Sequence, residues 1–411
     1  MTVVKNIMGY KEFITLMAIL MSVVAISIDA LLPALGIIGE YLNVSHPNQA
    51  QYIISAIFIG LALGQLVSGP LSDAIGRKKV LFIGLILYLL GSVICVTATS
   101  IEVMLAGRFV QGLGVSGPYL SVMSIVRDKH SGAAMAKIMS LVMMVFMTVP
   151  ILAPALGQLI LAVANWQSIF GLYIVYAIGV GTWAWLRLEE TLHPENVVPF
   201  KVANIIKGSK TVLSNKTTLC YTLVMGCIFG ALIGDLNSIP QIFQGQYAVG
   251  DMFAVYFGLQ AFGLGVSSFI NSQLVERFGM RHLCLIGAAI ISGASSLLFV
   301  YSYFASPPFF LFFIYGAVIL FCFGIMFGNL NAIALEPMGH IAGLAAAIVG
   351  ALSSVIGIAL GTYIGQMYNG TVVPLVLGFM LLGALAFVIM YFENIGNAKL
   401  LAAELVEEQA G

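Results

Sequence analysis

The sequence predicts an all-α membrane protein with twelve transmembrane helices in two pseudo-symmetric halves of six. Composition, the spacing of apolar segments and a motif repeated at half the chain length support this. The 411 residues are 60% hydrophobic and only 8% charged, whereas soluble domains carry about 25% charged residues. The net charge is zero, so no nucleic-acid partner is expected. Five dispersed cysteines argue against a disulfide framework and against a metal site.

Counting about 20 apolar residues per crossing gives twelve spans. They are expected at 13–35, 51–71, 79–98, 102–125, 136–163, 168–188, 217–239, 251–275, 282–304, 307–333, 339–365 and 371–392. The longest polar stretch predicts a cytoplasmic linker at 189–216 between an N-terminal half, 1–188, and a C-terminal half, 217–411, which ends in a short cytoplasmic tail. Within the linker, 200–213 is either a short amphipathic helix on the inner leaflet or a solvated tether.

Lysine and arginine are distributed asymmetrically among the loops. They occupy the terminal segments, the linker and the loops after spans 2, 4 and 8, whereas the alternate loops contain none. Because basic residues are retained on the cytoplasmic side of a membrane, this pattern predicts that both termini are cytoplasmic.

A short motif between spans 2 and 3 returns between spans 8 and 9. Gly69–Lys79 (GPLSDAIGRKK) and Ser272–His282 (SQLVERFGMRH) share an acid, a glycine and a basic cluster in a register of 203 positions. Asp73 can cap the next helix or pair with Arg77 or Arg127. The motif is therefore predicted to act as a conformational latch. Its members are Gly69, Asp73, Gly76, Arg77, Lys78 and Arg127.

Three charged residues fall inside predicted spans, where a charge costs about 2.5–3.5 kcal/mol on insertion scales. Asp29, four residues before Pro33, is expected either to bind a proton or cation or to form a structural ion pair with Arg108. Arg108 is expected to act on a nearby carboxylate or a substrate group, or else to extend to the outer headgroups. Asp235 is either a cavity residue or a wetted residue at the cavity mouth.

Other polar and helix-distorting residues within the spans are also candidates. The predicted substrate cavity takes side chains from Asp29, Asp235, Gln111, Gln158, Asn329 and Asn331. Span 5 carries Pro150, Pro154 and Gly157. This pattern is typical of a gating helix in alternating-access transporters, and static close packing through small residues is the alternative.

With these residues identified, the chain resembles the major facilitator superfamily and, within it, the Bcr/CflA-type multidrug–proton antiporters of twelve spans. GPLSDAIGRKK resembles the superfamily's loop signature, AGRFVQGLG its span 4 arginine motif, and VPILAPALG the antiporter motif of span 5. SIDALLPAL is similar to the span 1 segment that carries a coupling acid. The resemblance implies that Asp29 and Arg108 take part in proton coupling. It also implies the major facilitator fold and a bacterial inner membrane. Ala153 and Gln158 depart from the antiporter pattern.

The function expected from these features is proton-coupled export of lipophilic small molecules by alternating access. A proton-coupled importer or a dedicated metabolite exporter with the same fold is the alternative. The expected partners are protons, a small-molecule substrate and the lipid bilayer. The chain is expected to be a monomer without a cofactor, driven by the proton gradient. An enzyme is not expected, because a G-x-S-G segment at Gly114–Gly117 has no histidine within the spans to act as a base.

Overall fold

The structure is a computed structural model that describes residues 8–199 and 202–410, and these residues are almost entirely helical. Its α-helices are α1 (Tyr10–Asp29), α2 (Leu35–Tyr41), α3 (Tyr52–Ile75), α4 (Arg77–Val96), α5 (Ile101–Lys129), α6 (Gly132–Val163), α7 (Gln167–Arg187), α8 (Val202–Ser214), α9 (Lys216–Gln241), α10 (Phe253–Phe278), α11 (Met280–Phe304), α12 (Phe309–Leu335), α13 (Ala342–Gln366) and α14 (Val373–Ala410). Twelve helical segments of the described chain are long and apolar enough to cross a membrane, counting α1 and α2 as one. The predicted fold class and number of spans are confirmed.

The first span is interrupted directly after Asp29. There α1 ends, a 3-10 turn covers Leu32–Ala34, and α2 begins at Leu35. Pro33 explains the interruption, because proline lacks the N–H that would continue the helical ladder. The N–H of Ala34 instead belongs to a tighter turn, in which it donates to the carbonyl of Leu31 at 2.9 Å. Asp29 therefore lies at the last position of a helix within the span.

Glycines bring α5 into backbone contact with both of its neighbours. A Cβ atom at Gly112 would overlap the carbonyl oxygen of Ile57 in α3. On the α4 side, a Cβ at Gly117 would lie 2.8 Å from the carbonyl oxygen of Val80. Small residues permit such close approach between membrane helices. The resulting packing places Arg108, on α5, deep within the helices around it.

Matching glycine contacts join the first and fifth spans of each half. A Cβ at Gly157 of α6 would overlap the carbonyl oxygen of Ala30, the residue after Asp29. A Cβ at Gly361 of α13 would lie 2.6 Å from the carbonyl oxygen of Gly230 and 2.8 Å from the N of Gly234, the residue before Asp235. Gly157 and Gly361 are 204 positions apart, so the two halves repeat this contact beside an acid. The α6 helix continues through Pro150 and Pro154.

The described helices divide into two compact units. The first contains the described residues before Val202 together with Gly250–Gly258, and the second contains Val202–Val249 and the described residues from Leu259 onward. Within the first unit, Gln158 of α6 binds the segment that begins at Gly250. The Nε2 of Gln158 donates to the carbonyl of Asp251 at 2.7 Å, and its Oε1 accepts from the N–H of Ala254 at 3.2 Å. The predicted domain bounds stay a prediction.

The linker contains a helix and not only a tether. In α8, Gly208 and Val212 are buried, whereas Ile206, Lys207 and Lys210 are exposed. Gly208 lies against Leu344 and Ile348, which belong to α13. The start of the predicted segment, at 200 and 201, lies outside the described residues. Of the two interpretations of the linker, the helical one is confirmed for Val202–Ser214, and its contact with the inner leaflet stays a prediction.

Candidate functional site

The carboxyl group of Asp29 is buried and has no partner in the part of the chain that the structure describes. Asp29 is 5% exposed, and among the described residues it forms no hydrogen bond or ion pair. The expected structural ion pair with Arg108 is not formed in this structure, since no N–O distance between the two side chains falls within 4.0 Å. Asp29 is therefore a buried acid without a charge partner among the described residues, and its role in binding a proton or a cation stays a prediction.

Arg108 is held by neutral acceptors. Its side chain is 0% exposed. Its Nε donates to the carbonyl of Ile53 at 3.2 Å, and its Nη1 donates to the Oε1 of Gln111 at 2.9 Å. The interpretation that Arg108 extends to the outer headgroups is therefore wrong. Its Nη2 has no hydrogen-bond partner among the described residues, so this cation retains one free donor group in the interior.

Gln111, a predicted cavity residue, binds the guanidinium of Arg108 and orients it. The Nε2 of Gln111 donates to the Oγ of Ser92 at 2.7 Å, and this hydroxyl donates to the carbonyl of Tyr88 at 2.8 Å. Because Gln111 uses its amide nitrogen on Ser92, its oxygen faces the guanidinium of Arg108. A chain of hydrogen bonds thus connects α4 and α5 and determines where the positive charge lies.

Two tyrosines connect the surroundings of Asp29 with those of Arg108. The hydroxyls of Tyr88 and Ser27 are 2.7 Å apart, and the hydroxyl of Tyr173 donates to the carbonyl of Ser27 at 3.3 Å. Tyr173 lies within electrostatic range of both Asp29 and Arg108. Neither tyrosine was predicted from the sequence, because an isolated tyrosine in an apolar span carries no periodic or charge signal.

The second unit places Asp235 in a partly matching position. Asp235 is 5% exposed, lies in α9 and is within electrostatic range of Tyr315. The hydroxyls of Tyr315 and Ser295 are 2.7 Å apart. This pair lies 204 and 203 positions after Gln111 and Ser92, and Phe312 follows Arg108 by 204. The second unit thus keeps the acid and the hydrogen bond but has an aromatic ring in place of the cation. Asp235 is buried in this structure, and its assignment as a cavity residue or a mouth residue stays a prediction.

The other predicted cavity residues are dispersed. Gln158 binds the backbone at the start of α10, as described above. Asn329 is buried and exchanges hydrogen bonds with Asn271 of α10, the shorter of which is 2.7 Å. Asn331 is exposed on α12. Of these three, Gln158 and Asn329 hold helices together, and the structure does not bring them to Asp29 or Asp235 by any described contact.

The predicted latch forms an ion-pair cluster at the junction of α3 and α4. The guanidinium of Arg77 pairs with Asp73 and, at 3.0 Å, with Asp128. Arg127, the alternative partner that was expected for Asp73, is exposed and makes no ion pair with it among the described residues. Of the two partners expected for Asp73, Arg77 is therefore the one that the structure shows. Asp128, the second acid on Arg77, was not predicted. Gly69 lies inside α3.

Glu190, which the sequence analysis did not identify, caps α4. Its Oε1 accepts from the N–H of Arg77 at 2.9 Å and its Oε2 accepts from the N–H of Lys78 at 3.1 Å. A carboxylate is favoured there because the first N–H groups of a helix lack partners and carry partial positive charge. Gly76, the only residue between α3 and α4, has φ of 116°. A Cβ atom there would also overlap the carboxylate of Glu190.

Removing this cap is expected to destabilise the first unit measurably. Replacing Glu190 with alanine should lower the free energy of unfolding by about 0.5–2 kcal/mol, the usual cost of losing a helix cap. Thermal unfolding of the purified protein in detergent measures the change. Glu195→Ala is the matched control, since Glu195 is an exposed acid of the same connector. Equal unfolding temperatures for the two variants would contradict the assignment.

The second unit repeats this arrangement with different partners. Arg281 pairs with Glu393 at 2.5 Å, and its guanidinium lies 5.3 Å from the ring centre of Tyr221. Lys78 and Arg281, like Glu190 and Glu393, are 203 positions apart. In each unit, therefore, an acid at the end of the sixth span or just beyond it binds the start of the third span. Glu190 and Glu393 follow the same register of 203 positions, but they lie outside the repeated motif at Gly69–Lys79 and Ser272–His282.

The chain matches the family model described as Major Facilitator Superfamily over residues 17–362. It is 30% identical to an uncharacterized MFS-type transporter, YdgK, of Bacillus subtilis (strain 168), over 90% of this chain and 93% of that protein. It is 27% identical to a bicyclomycin resistance protein homolog of Haemophilus influenzae, over 94% and 97% of the two chains.

Among solved structures, a D-xylose-proton symporter matches with a TM-score of 0.74 at 15% identity, covering 93% of this chain and 97% of that one. At 15% identity this match shows that the two chains share a fold. Members of the major facilitator superfamily carry small molecules across membranes. The chain is thus a multi-pass integral membrane transporter that belongs to the major facilitator superfamily, and within it to the Bcr/CflA type.

Proposed function

We propose that the protein is a proton-coupled exporter of lipophilic small molecules, and that Asp29 is the group that binds the coupling proton. The observation that carries this proposal is the burial of Asp29 at a helix end without a protein counter-ion. A buried carboxylate that lacks a partner costs about 3–5 kcal/mol, which protonation relieves. Neutral Asp29 therefore suits the buried site, and a charged Asp29 needs a cation or water.

In this proposal Arg108 favours the charged form of Asp29, whereas burial favours the neutral form. Its charge cannot be neutralised at physiological pH, and its hydrogen bonds to Ile53 and Gln111 hold it without a carboxylate. When the helix end that carries Asp29 moves toward this cation, the charged carboxylate is stabilised and the proton leaves. When it moves away, the proton returns. Alternating access then exchanges a proton for a substrate at the same acid.

In this proposal the second unit contributes Asp235 as a candidate substrate-binding acid. Asp235 lies near Tyr315, which shares a hydrogen bond with Ser295, and Phe312 takes the position that corresponds to Arg108 in the repeat. An acid of this kind can bind a polar or positively charged group of an otherwise apolar molecule. The relative named as a bicyclomycin resistance protein homolog supports antimicrobial compounds as substrates. The bacterial inner membrane, with both termini in the cytoplasm, is the location that this proposal requires.

Accumulation of a fluorescent lipophilic dye in efflux-deficient bacteria tests the direction and the energy source. Cells that express the protein should hold less dye than cells without it, and an uncoupler should remove the difference. Glu40→Gln, which alters an exposed acid on α2 of the same span, should behave as the unmodified protein does. Dye accumulation above the level of cells without the protein, if an uncoupler abolishes it, would instead identify an importer. If the protein changed the accumulation of neither the dye nor any compound in a panel of drugs, a dedicated metabolite exporter would be favoured.

A further inference from the structure

An apolar groove runs between three helices of the second unit. Its volume is about 200 Å³. Residues that line it include Leu274 and Phe278 of α10, Ile286, Gly287 and Ile290 of α11, and Cys322 of α12. No lining residue is charged. The groove is separate from Asp235, since none of its lining residues belongs to α9.

The groove exists because the residues at its base are small. Gly287 has no side chain, and a Cβ there would lie 2.8 Å from the Sδ of Met326. Cys322 is 2% exposed and forms part of the floor. Ile286 and Ile290 on its rim are 42% and 41% exposed, so the groove opens on the outer face of a membrane-length helix. A chain of methylene groups is the chemistry that fits such an opening.

Cationic and hydrogen-bonding groups stand at one end of the groove. The guanidinium of Arg277 lies 5.3 Å from the ring centre of Phe278, and the ring of His282 stacks on the same phenylalanine with centroids 6.4 Å apart. Arg277 and His282 are exposed. Among the described residues Arg277 makes no ion pair, including with the neighbouring acid Glu276, whereas Arg281 is already paired with Glu393. Phe278 thus joins an available cation to the apolar lining.

We propose that this groove binds one anionic phospholipid, with an acyl chain along α11 and the phosphate at Arg277 and His282. The rim from Leu283 to Ile290 is about 10 Å long at 1.5 Å per residue, so it extends from the helix end into the hydrocarbon region. Basic pockets between membrane helices select anionic headgroups by charge. A zwitterionic lipid fills the groove equally well but gains less at Arg277. This site does not depend on the proposed direction of transport.

Native mass spectrometry of the protein released from bilayer discs tests the site. The discs contain equal amounts of phosphatidylglycerol and phosphatidylcholine. The unmodified protein should retain one phosphatidylglycerol in preference to phosphatidylcholine. Arg277→Gln should weaken this preference about five-fold, which corresponds to about 1 kcal/mol for one basic residue near the surface. Ile290→Trp, which fills the rim, should reduce retention of both lipids at this site.

The first unit provides the matched control. Lys79 is exposed and lies 203 positions before His282, at the start of α4, so Lys79→Gln removes a basic residue from the equivalent place. It should leave the retained lipid unchanged. Equal retention of the two lipids by the unmodified protein would overturn the proposal. So would a phosphatidylglycerol preference that Arg277→Gln leaves intact, or one that Lys79→Gln reduces as strongly.

Discussion

Replacing Asp29 with asparagine is expected to make substrate binding independent of pH. In the unmodified protein a proton and a substrate oppose each other at Asp29, so the dissociation constant should rise as the pH falls. A coupling free energy of about 1–3 kcal/mol makes this change about 5–150-fold. Asparagine has nearly the same shape but does not titrate. Titration of a fluorescent substrate into the purified protein measures the dissociation constant at acidic pH and at alkaline pH.

The sign of the effect separates the two transport modes. A dissociation constant that falls as the pH falls would indicate that the proton and the substrate bind together, as in a symporter. Glu40→Gln serves as the control and should keep the full pH dependence, because Glu40 is exposed. If Asp29→Asn keeps it as well, another group carries the proton, and Asp235 is then the acid to replace next.

Replacing Arg108 with lysine is expected to impair transport although the charge is kept. Arginine reaches the carbonyl of Ile53 and the amide of Gln111 with two separate nitrogens. Lysine presents one compact ammonium group and cannot reproduce this fork. One buried acceptor then loses its partner, at a cost of about 1–3 kcal/mol in the free energy of unfolding. Thermal unfolding and dye efflux at matched expression measure the two consequences.

Arg127→Lys is the control for this substitution. Arg127 is an exposed arginine near the end of the same helix, so its replacement should change neither the unfolding temperature nor efflux. Full efflux by Arg108→Lys would show that charge alone suffices and that the position determined by Gln111 has no role. Full efflux by Arg108→Gln would remove Arg108 from the mechanism.

The sequence was sufficient for features that depend on local chemistry. Hydropathy and span length predicted the twelve crossings, and the interruption after Asp29 is explained by the residue type of Pro33. The motif repeated at 203 positions contains Gly76 and Gly279, and both glycines lie at helix junctions and adopt positive φ. These features arise from single helices or from adjacent residues, so periodicity and residue type determine them.

Contacts between distant segments were harder to predict. Asp128 and Glu190 hold Arg77 from 51 and 113 positions away, and no local pattern points to them. Gln158 was expected in a cavity because it is polar within a span, but it holds the start of α10. A polar side chain within a span can bind another helix or face a cavity, and only the packing of the helices decides between these outcomes.

The central claim is that Asp29 exchanges a proton for the substrate, and proton release on substrate binding tests it most directly. A pH-sensitive dye in weakly buffered detergent solution reports protons that leave the purified protein when a lipophilic substrate is added. The unmodified protein should release protons, and Asp29→Asn should release none while still binding the substrate. Equal release by both proteins, or proton uptake by the unmodified protein, would contradict the claim.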